Sequence, residues 1–297
     1  MRRIPRHLRV PVDRRYRVLD PVCTIDPGET VVVETVNHMT PVVRSEEDLH
    51  PHGSPGYRER EETGPIYVRG VRPGDALAIR IEGIEIVGLP HAHGWGPLAD
   101  RYPQAPLAFP VRGRRCLLPG GVSVPLAPMI GDIYTTPATP EPPYPDHGGN
   151  MDCTRVCPGS TLYLPVFHEG GLLVLGDVHA LQGEGELYGE AAETAADVTL
   201  TIGASDRLSC RRPLVETASE YVCLASRESL FDSIRLATED MVELLSEHYG
   251  IDRAAAYVLC SLAGSVHLAG SLSRREWTQE WPWIALSVGK DIRVGAT

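Results

Sequence analysis

Glycine and proline constrain the fold of this chain more than any other feature of its sequence. The 297 residues include 29 Gly and 26 Pro, which are spread along the chain and form no repeat. Both residue types interrupt helices and strands and favour turns, so the distribution predicts many short strands rather than long helices. The hydrophobic fraction of 42% and the charged fraction of 23% are those of an ordinary globular protein.

Short runs rich in β-branched or alternating apolar residues predict the strands. Residues 76–87 alternate apolar and polar side chains, as a half-buried strand does, and follow the turn at residues 73–75. Further strand candidates are residues 29–36, 161–167, 172–176, 196–202, 220–225, 265–269 and 284–288. Gly170 and Gly171 separate two of these runs, which predicts a β-hairpin.

The pattern changes to helical after residue 226. One apolar face recurs at steps of three to five residues, at Leu230, Ile234, Ala237, Met241, Leu244 and Tyr249. Ser226 is the predicted N-cap of this helix and Gly250 its predicted end. Asp252 is the predicted cap of a second helix that continues to about Leu262.

These elements predict a mainly β fold. We expect a β-sandwich-like core in residues 1–225 and a smaller C-terminal α/β part in residues 226–297 that contains the helical hairpin. One continuous domain is the alternative. Residues 88–160 are dense in Gly and Pro with little periodicity, which predicts that they fold over a functional site.

Charge and composition exclude several partners. The formal net charge is −11, whereas a nucleic-acid backbone needs a basic surface, so we expect no nucleic-acid partner. No apolar stretch reaches the roughly 20 residues that span a bilayer, and residues 1–10 lack an apolar signal region. The seven cysteines are irregularly spaced without a Cys-x-x-Cys pair. We therefore expect reduced thiols in a cytoplasmic protein with no membrane partner.

The densest group of reactive side chains lies in LYLPVFHEGGLLVLGDVHALQGEGE, residues 162–186. Asp177 and His179 are two residues apart, so in a strand they point to the same face and can bind a divalent cation together. Glu184 and Glu186 follow in a glycine-rich turn that lets the backbone approach a ligand.

GGNMD at residues 148–152 adds Asn150 and Asp152, an amide and a carboxylate one residue apart. A metal site or a general base can be built from this whole set. The alternative is structural, because Gly-Asp often forms a simple turn and an Asp-x-His pair is often a surface hydrogen bond. The spacing alone leaves both interpretations open.

Four segments, in this order, resemble the acetamidase/formamidase family. They are TGPIYVRGVRPGDALAIRI (63–81), PLAPMIGDIYTTP (125–137), GGNMD (148–152) and PVFHEGGLLVLGDVHALQGEGELYGEAAE (165–193). The resemblance implies an amidohydrolase that converts a short linear amide to the carboxylic acid and ammonia. It also implies a β-sandwich-like fold, a homo-oligomer, and a divalent metal, zinc or calcium, at the site.

When the site positions of the family are transferred motif by motif, the resemblance implies a site made of Asn150, Asp152, Asp177, His179 and Glu186. Gln182 and Glu184 are the next candidates. The metal-ligand candidates are Asp152, Asp177, His179 and His93, and the general-base candidates are Glu186 and Glu141. Asn150 and the backbone at Gly148 and Gly149 are candidates to stabilise an oxyanion, and His38 and Gln182 to contact the substrate. Which carboxylate is base and which is ligand stays open.

Two segments depart from the family pattern, and both leave the identity of the substrate open. Residues 88–95 (GLPHAHGW) are rich in His, and residues 137–147 contain unusual Glu, Tyr and His. The pairs His91/His93 and His50/His52 are metal-ligand candidates or else solvated loop histidines. Two alternatives to a short-amide hydrolase therefore stay open. One is an amidase-like enzyme that acts on a larger or different amide, and the other is a non-catalytic small-molecule-binding protein with the same fold. No Gly-x-Ser-x-Gly motif and no P-loop supports a serine nucleophile or a phosphate site.

Overall fold

The computed structural model describes residues 1–10, 14–37, 42–50, 61–102, 105–270 and 282–295. Strands dominate these ranges, and the two α-helices within them both lie near the C-terminus. The prediction of a mainly β fold with a C-terminal helical hairpin is confirmed.

Most strands are short, as the spread of glycine and proline predicts. In chain order they are β1 (Arg2–Ile4), β2 (Arg9–Val10), β3 (Cys23–Ile25), β4 (Glu29–Glu34), β5 (Glu62–Val68), β6 (Ala76–Ala92), β7 (Leu107–Ala108), β8 (Val111–Arg112), β9 (Arg115–Leu117), β10 (Ser123–Pro125), β11 (Met129–Thr135), β12 (Gly148–Asn150), β13 (Thr161–Pro165), β14 (Leu173–His179), β15 (Glu193–Ala204), β16 (Leu214–Glu216), β17 (Glu220–Ser226), β18 (Gly264–Ala269) and β19 (Trp283–Gly289). The helices are α1 (Leu230–Tyr249) and α2 (Arg253–Ala263), with short 3-10 turns at Glu46–Asp48 and Pro119–Gly121.

One large branched sheet organises the molecule. Its main path runs β12-β11-β14-β15-β6-β13-β16-β17-β19-β18. Strand β4 joins β15 to β1, and β5 joins β14 to β2 and β3, while β8, β9 and β10 form a separate small sheet. Buried residues of the main path and of its branches share one apolar cluster, including Ile25, Ile66, Leu164, Leu175 and Val198. The sheet therefore curls around its own core, which the hydrophobic effect stabilises.

The predicted hairpin around Gly170 and Gly171 is wrong. Strands β13 and β14 are not neighbours, because β15 and β6 lie between them in the sheet. Gly170 instead accepts a backbone hydrogen bond from Val68 and donates one to Val71. The turn is therefore held against the end of β5, and β14 pairs with β11 and β5 rather than folding back on β13.

The region between residues 88 and 160 holds more regular structure than its composition predicts. Strand β6 continues through His91 to Ala92, and every residue of β11 is buried. Strand β12 pairs with β11, with Asp132 opposite Asn150. Two strands that form one wall of the site described below therefore come from the segment that lacked clear periodicity.

The helical hairpin agrees with prediction except at its start. Gly250 ends α1 in the left-handed conformation, and the Asp252 side chain accepts a hydrogen bond from the backbone of Ala255 to cap α2. The N-cap of α1 is Ser229, not Ser226, because Ser226 is the last residue of β17 and pairs with β19. Leu230, predicted for the buried face, is exposed.

The C-terminal helices lie on the same sheet that continues from the core. Ala237, Met241 and Leu245 of α1 belong to an apolar cluster with residues of β17 and β19. The division into parts at residue 225 stays a prediction, and β17, which spans it, pairs with β19. Neither helix of the described ranges has the length and apolar character needed to cross a membrane. All seven cysteines lie in those ranges and are free thiols.

Candidate metal centre

The site lies where β11, β14 and β15 meet. Strand β14 pairs with β11 on one side, with His179 opposite Met129. On its other side β14 pairs with β15, with His179 opposite Glu193. The imidazole at the end of β14 is therefore held between two strands, and the chain leaving β12 brings Asp152 beside it.

Carboxylates surround one nitrogen of His179. Its Nε2 atom lies 3.2 Å from a Glu193 oxygen, 3.6 Å from an Asp177 oxygen and 3.9 Å from an Asp152 oxygen. One ligand atom from each of Asp152, His179 and Glu186 lies within 4.8 Å of the others, and the same holds for Asp177, His179 and Glu193. All five residues are buried. They are called the His179 cluster below.

The sequence predicted four of these five residues. Asp177 and His179 do share a face, as their spacing of two indicated, and Asp152 and Glu186 join them from loops. Glu193 was missed because a single Glu before the apolar run of β15 has no distinctive pattern. Its signal exists only in the pairing of β14 with β15, which no local spacing reveals.

Gln182 fixes the orientation of His179. The Gln182 amide nitrogen donates to the Asp152 carbonyl at 2.7 Å, so its oxygen faces His179 Nδ1, also at 2.7 Å. Nδ1 therefore carries a proton, and Nε2 points at the carboxylates. In metal-ligating histidines, the ring nitrogen that does not bind the metal usually donates to a fixed acceptor, as Nδ1 does here to Gln182. Gln182, predicted to contact the substrate, is placed by these bonds behind His179.

Three members of the cluster have unusual backbone conformations. Of the non-glycine residues described, five have positive φ, and among them are Asp152 (46°), Asp177 (52°) and Glu186 (45°). A left-handed backbone conformation of this kind costs an L-residue about 1–2 kcal/mol, so a residue adopts it only where the surrounding fold enforces it. The fold therefore bends the chain at three places to aim these carboxylates at one point.

Gly131 of β11 leaves room for the cluster. A Cβ atom at this position would lie 2.7 Å from an Asp152 carboxylate oxygen, 2.8 Å from the Asp177 carbonyl and 2.9 Å from His179 Cε1. Such distances are shorter than van der Waals contact. The absence of a side chain at residue 131 therefore allows the three residues to converge.

The charges in the cluster oppose each other strongly. Burial alone would lower the pKa of His179, but Glu193 and then Asp177 outweigh it and raise that pKa well above its ordinary value. Four carboxylates in a buried space repel each other unless a proton or a cation lies among them. A divalent cation bound to Nε2 and the carboxylates would satisfy the same charge with His179 neutral.

The other predicted site residues lie in different surroundings. His93 is buried, and its ring nitrogens lie 2.8 Å from a Glu190 carboxylate oxygen and 2.9 Å from the His50 carbonyl. Glu141 lies in an exposed loop. His38, and with it the prediction that it contacts the substrate, falls outside the described residues. The roles of these residues stay predictions.

The GGN strand lies beside the cluster. Asn150 is buried in β12. The backbone N–H of Gly148 donates to the Pro145 carbonyl at 3.1 Å, so this group already has a partner. The proposed oxyanion role of Gly148, Gly149 and Asn150 stays a prediction.

A second buried charge cluster lies on the other face of β11. Arg15 contacts carboxylate oxygens of Asp132 and, at 3.3 Å, of Glu62. His147 and Tyr134 lie beside it. Burial lowers the pKa of His147 to about 3, with a smaller contribution from Arg15, and burial followed by Glu62 raises the pKa of Tyr134. No sequence pattern indicated this group, because its members come from distant segments.

The segments that form the site are similar to those of known proteins. A sequence model of the Acetamidase/Formamidase family matches residues 121–218, which include β11, β12 and β14 and all five members of the His179 cluster. A solved predicted acetamidase/formamidase from Thermoanaerobacter tengcongensis is 28% identical, with a TM-score of 0.80 over 91% of this chain and 90% of that one. An acetamidase from Bacillus halodurans is 29% identical, with a TM-score of 0.77 over 92% of each chain.

A curated protein is similar in sequence as well. A candidate formamidase of Schizosaccharomyces pombe is 23% identical over 244 residues, which are 60% of this chain and 60% of that protein. The chain thus matches less than two thirds of that relative's length. The resemblance to the acetamidase/formamidase family is confirmed in both sequence and fold.

Proposed function

We propose that this protein is a metal-dependent amidohydrolase that converts a short linear amide to the carboxylic acid and ammonia. The observation that carries the proposal is the His179 cluster, an imidazole nitrogen aimed at buried carboxylates by Gln182. The family match and the solved acetamidases support the amide as substrate class. The burial of the whole cluster favours a short acyl group, since a large one would need an open cleft.

The donor set fits a divalent cation. One imidazole nitrogen and several carboxylate oxygens are ligands that zinc accepts, and carboxylates are also the ligands of calcium. Two sets of ligand atoms that share His179 could hold it, Asp177 with Glu193 and Asp152 with Glu186. A cation bound there would supply Lewis-acid chemistry, since it polarises a carbonyl and lowers the pKa of water towards about 7.

The chain's own residues would then move the proton. Asp177, His179 and Glu193 lie on strands, whereas Glu186 lies on the loop between β14 and β15. We assign Glu186 the role of general base. Its carboxylate takes a proton from the attacking water and passes it to the leaving nitrogen, so that one amide and one water give one carboxylic acid and one ammonia. The Asn150 amide would stabilise the developing oxyanion.

Ammonia release from formamide, acetamide and propionamide tests the proposal. We expect the purified protein to release ammonia, a chelator to abolish the release, and zinc or calcium to restore it. Asp177→Asn and His179→Ala should lose both metal content and activity. His248→Ala is the matched control, because His248 lies on α1 and contacts the Tyr221 hydroxyl at 3.1 Å. Full metal content and activity in both site variants would refute the assigned site, and metal binding without ammonia release would favour a binding protein.

A further inference from the structure

Glu184 stands out because it belongs to the glycine-rich motif yet points away from the His179 cluster. It lies between Gln182, which contacts His179, and Glu186, a member of the cluster. Its side chain is 37% exposed. If the Glu184 carboxylate pointed towards the His179 cluster, it would repel the buried acids there. We therefore expect the residues that contact it on the outer side to determine the position of the loop.

Two side chains, the cationic Arg155 and the imidazole of His267, contact the Glu184 carboxylate. One oxygen forms an ion pair with the Arg155 guanidinium, and the other lies 3.2 Å from His267 Nδ1. Arg155 comes three residues after Asp152 in the chain. His267 lies on β18, and its Nε2 atom lies 3.0 Å from the Ser287 hydroxyl of β19.

The contacts connect three separate parts of the molecule through one side chain. They join the segment that carries Asp152, the loop that carries Glu186, and the C-terminal strands. Arg155 is itself anchored, since its Nε lies 3.3 Å from a Glu220 oxygen of β17 and its Nη1 donates to the Thr154 hydroxyl at 3.0 Å. We call Arg155, Glu184 and His267 the Glu184 clasp.

We infer that Glu184 is a positioning residue that, through Arg155 and His267, sets the placement of Glu186 relative to Asp152. The inference rests on the proposed function for its metal and its reaction. It assigns the C-terminal strands a part in the site, although none of their residues belongs to the His179 cluster. Glycines 183 and 185 flank Glu184, and the Glu186 N–H donates to the Gly183 carbonyl at 3.2 Å, so this short turn connects the placement of Glu184 to that of Glu186.

The variants Glu184→Ala, Arg155→Met and the double variant test the clasp. Hydrogen exchange in the metal-free protein is measured for residues 151–156 and 182–190. Zinc affinity is measured by competition with a chromogenic chelator, and kcat and KM with formamide. Glu239→Gln is the matched control, because Glu239 forms an exposed pair with Arg235 on α1, 2.6 Å apart.

In Glu184→Ala we expect faster exchange in both segments, zinc affinity lower by about tenfold, and a fall in kcat with little change in KM. The double variant should lose no more than the larger single loss, because both residues act through one contact. The control should match the wild type. Unchanged exchange at residues 182–190, or faster exchange with unchanged zinc affinity and kcat, would overturn the inference.

The same measurements separate this inference from the proposed function. If the wild type binds no zinc and releases no ammonia, the proposed function fails by itself. Exchange at residues 151–156 and 182–190 then decides the clasp alone. Faster exchange in both segments sustains the connection, and unchanged exchange overturns it.

Discussion

Gln182 determines which nitrogen of His179 faces the carboxylates. Replacing it with Met keeps the approximate volume but removes the acceptor for Nδ1 and the donor to the Asp152 carbonyl. The imidazole can then rotate or change tautomer, so we expect zinc affinity to fall by about 10–100-fold. Chelator competition measures the change.

Gln182→Glu is the matched variant for that experiment. A glutamate keeps an acceptor for Nδ1 but loses the donor to the Asp152 carbonyl and adds a carboxylate, whose charge the Nδ1 proton and a bound cation offset, so its loss of zinc affinity should be smaller. Wild-type zinc affinity in Gln182→Met would contradict the orienting role of Gln182.

His147 gives the molecule a pH dependence with a defined sign. Burial holds its folded pKa at about 3, below the value near 6.5 of an unfolded chain. On acidification the unfolded state therefore binds a proton first. Stability that is complete above pH 6.5 is lost as the pH falls towards 3, at about 1.4 kcal/mol per pH unit.

Urea unfolding at pH 7 and pH 5 tests this. Between these values the wild type should lose about 2 kcal/mol more free energy of unfolding than His147→Leu, which cannot titrate. His7→Gln, a change at an exposed histidine, should leave the wild-type difference intact. Equal losses in the wild type and in His147→Leu would show that the fold does not lower the pKa of His147.

Strand spacing predicted that Asp177 and His179 lie together, whereas Asp152 and Glu186 were predicted from their motifs. Asp177 and His179 were found because strand geometry has a period of two, and that holds wherever β14 lies in the sheet. Glu193 and Gln182 obtain their roles from a strand pairing and from a turn, respectively. Such relations depend on register, which a pattern of a few residues does not encode.

At the scale of elements, β11 separates two charged groups. Gly131 faces the His179 cluster, and Asp132, the next residue, contacts Arg15 on the opposite face. The sequence pattern does not reveal β11 as a strand, because its residues are buried on both faces and so do not alternate between apolar and polar. The N-cap prediction at Ser226 was wrong because β17 runs one residue beyond the predicted 220–225 and so includes Ser226 itself.

Gly131→Ala tests how closely β11 fits the cluster. The added methyl group would overlap Asp152, Asp177 and His179, so we expect zinc affinity and ammonia release to fall by at least about tenfold. Gly83→Ala is the matched control on β6, where a Cβ meets no heavy atom within 4 Å. Its free energy of unfolding should stay within about 0.5 kcal/mol of wild type. Unchanged zinc affinity in Gly131→Ala would mean that the cluster adjusts without loss.

At the scale of the whole molecule, one sheet carries both the candidate site and the C-terminal helices. The sequence predicted the class of fold, because turn residues and strand patterns are local. It did not predict the order of strands, since β13 and β14 are consecutive in the chain and yet separated by two strands in the sheet. That order is set by which apolar faces bury each other, a property of the assembled core.

Arg15 connects the N-terminal segment to the centre of this sheet. Its guanidinium contacts Glu62 of β5 and Asp132 of β11, both fully buried, while its own side chain is 14% exposed. Arg15→Met would remove the Arg15 cation from two buried carboxylates. Breaking a buried ion pair from one side costs about 3–5 kcal/mol, far more than an exposed pair.

We therefore expect Arg15→Met to lower the free energy of unfolding by about 3–5 kcal/mol at pH 7, measured by urea denaturation. Arg69→Met is the matched control, because Arg69 and Asp26 form an exposed pair, and it should cost less than about 1 kcal/mol. Adding Glu62→Gln and Asp132→Asn to Arg15→Met should recover part of the loss, since it removes the uncompensated charges. A loss in Arg15→Met as small as that of the control would mean that water or protonation already neutralises the two acids, and that the N-terminal segment does not hold the sheet through this contact.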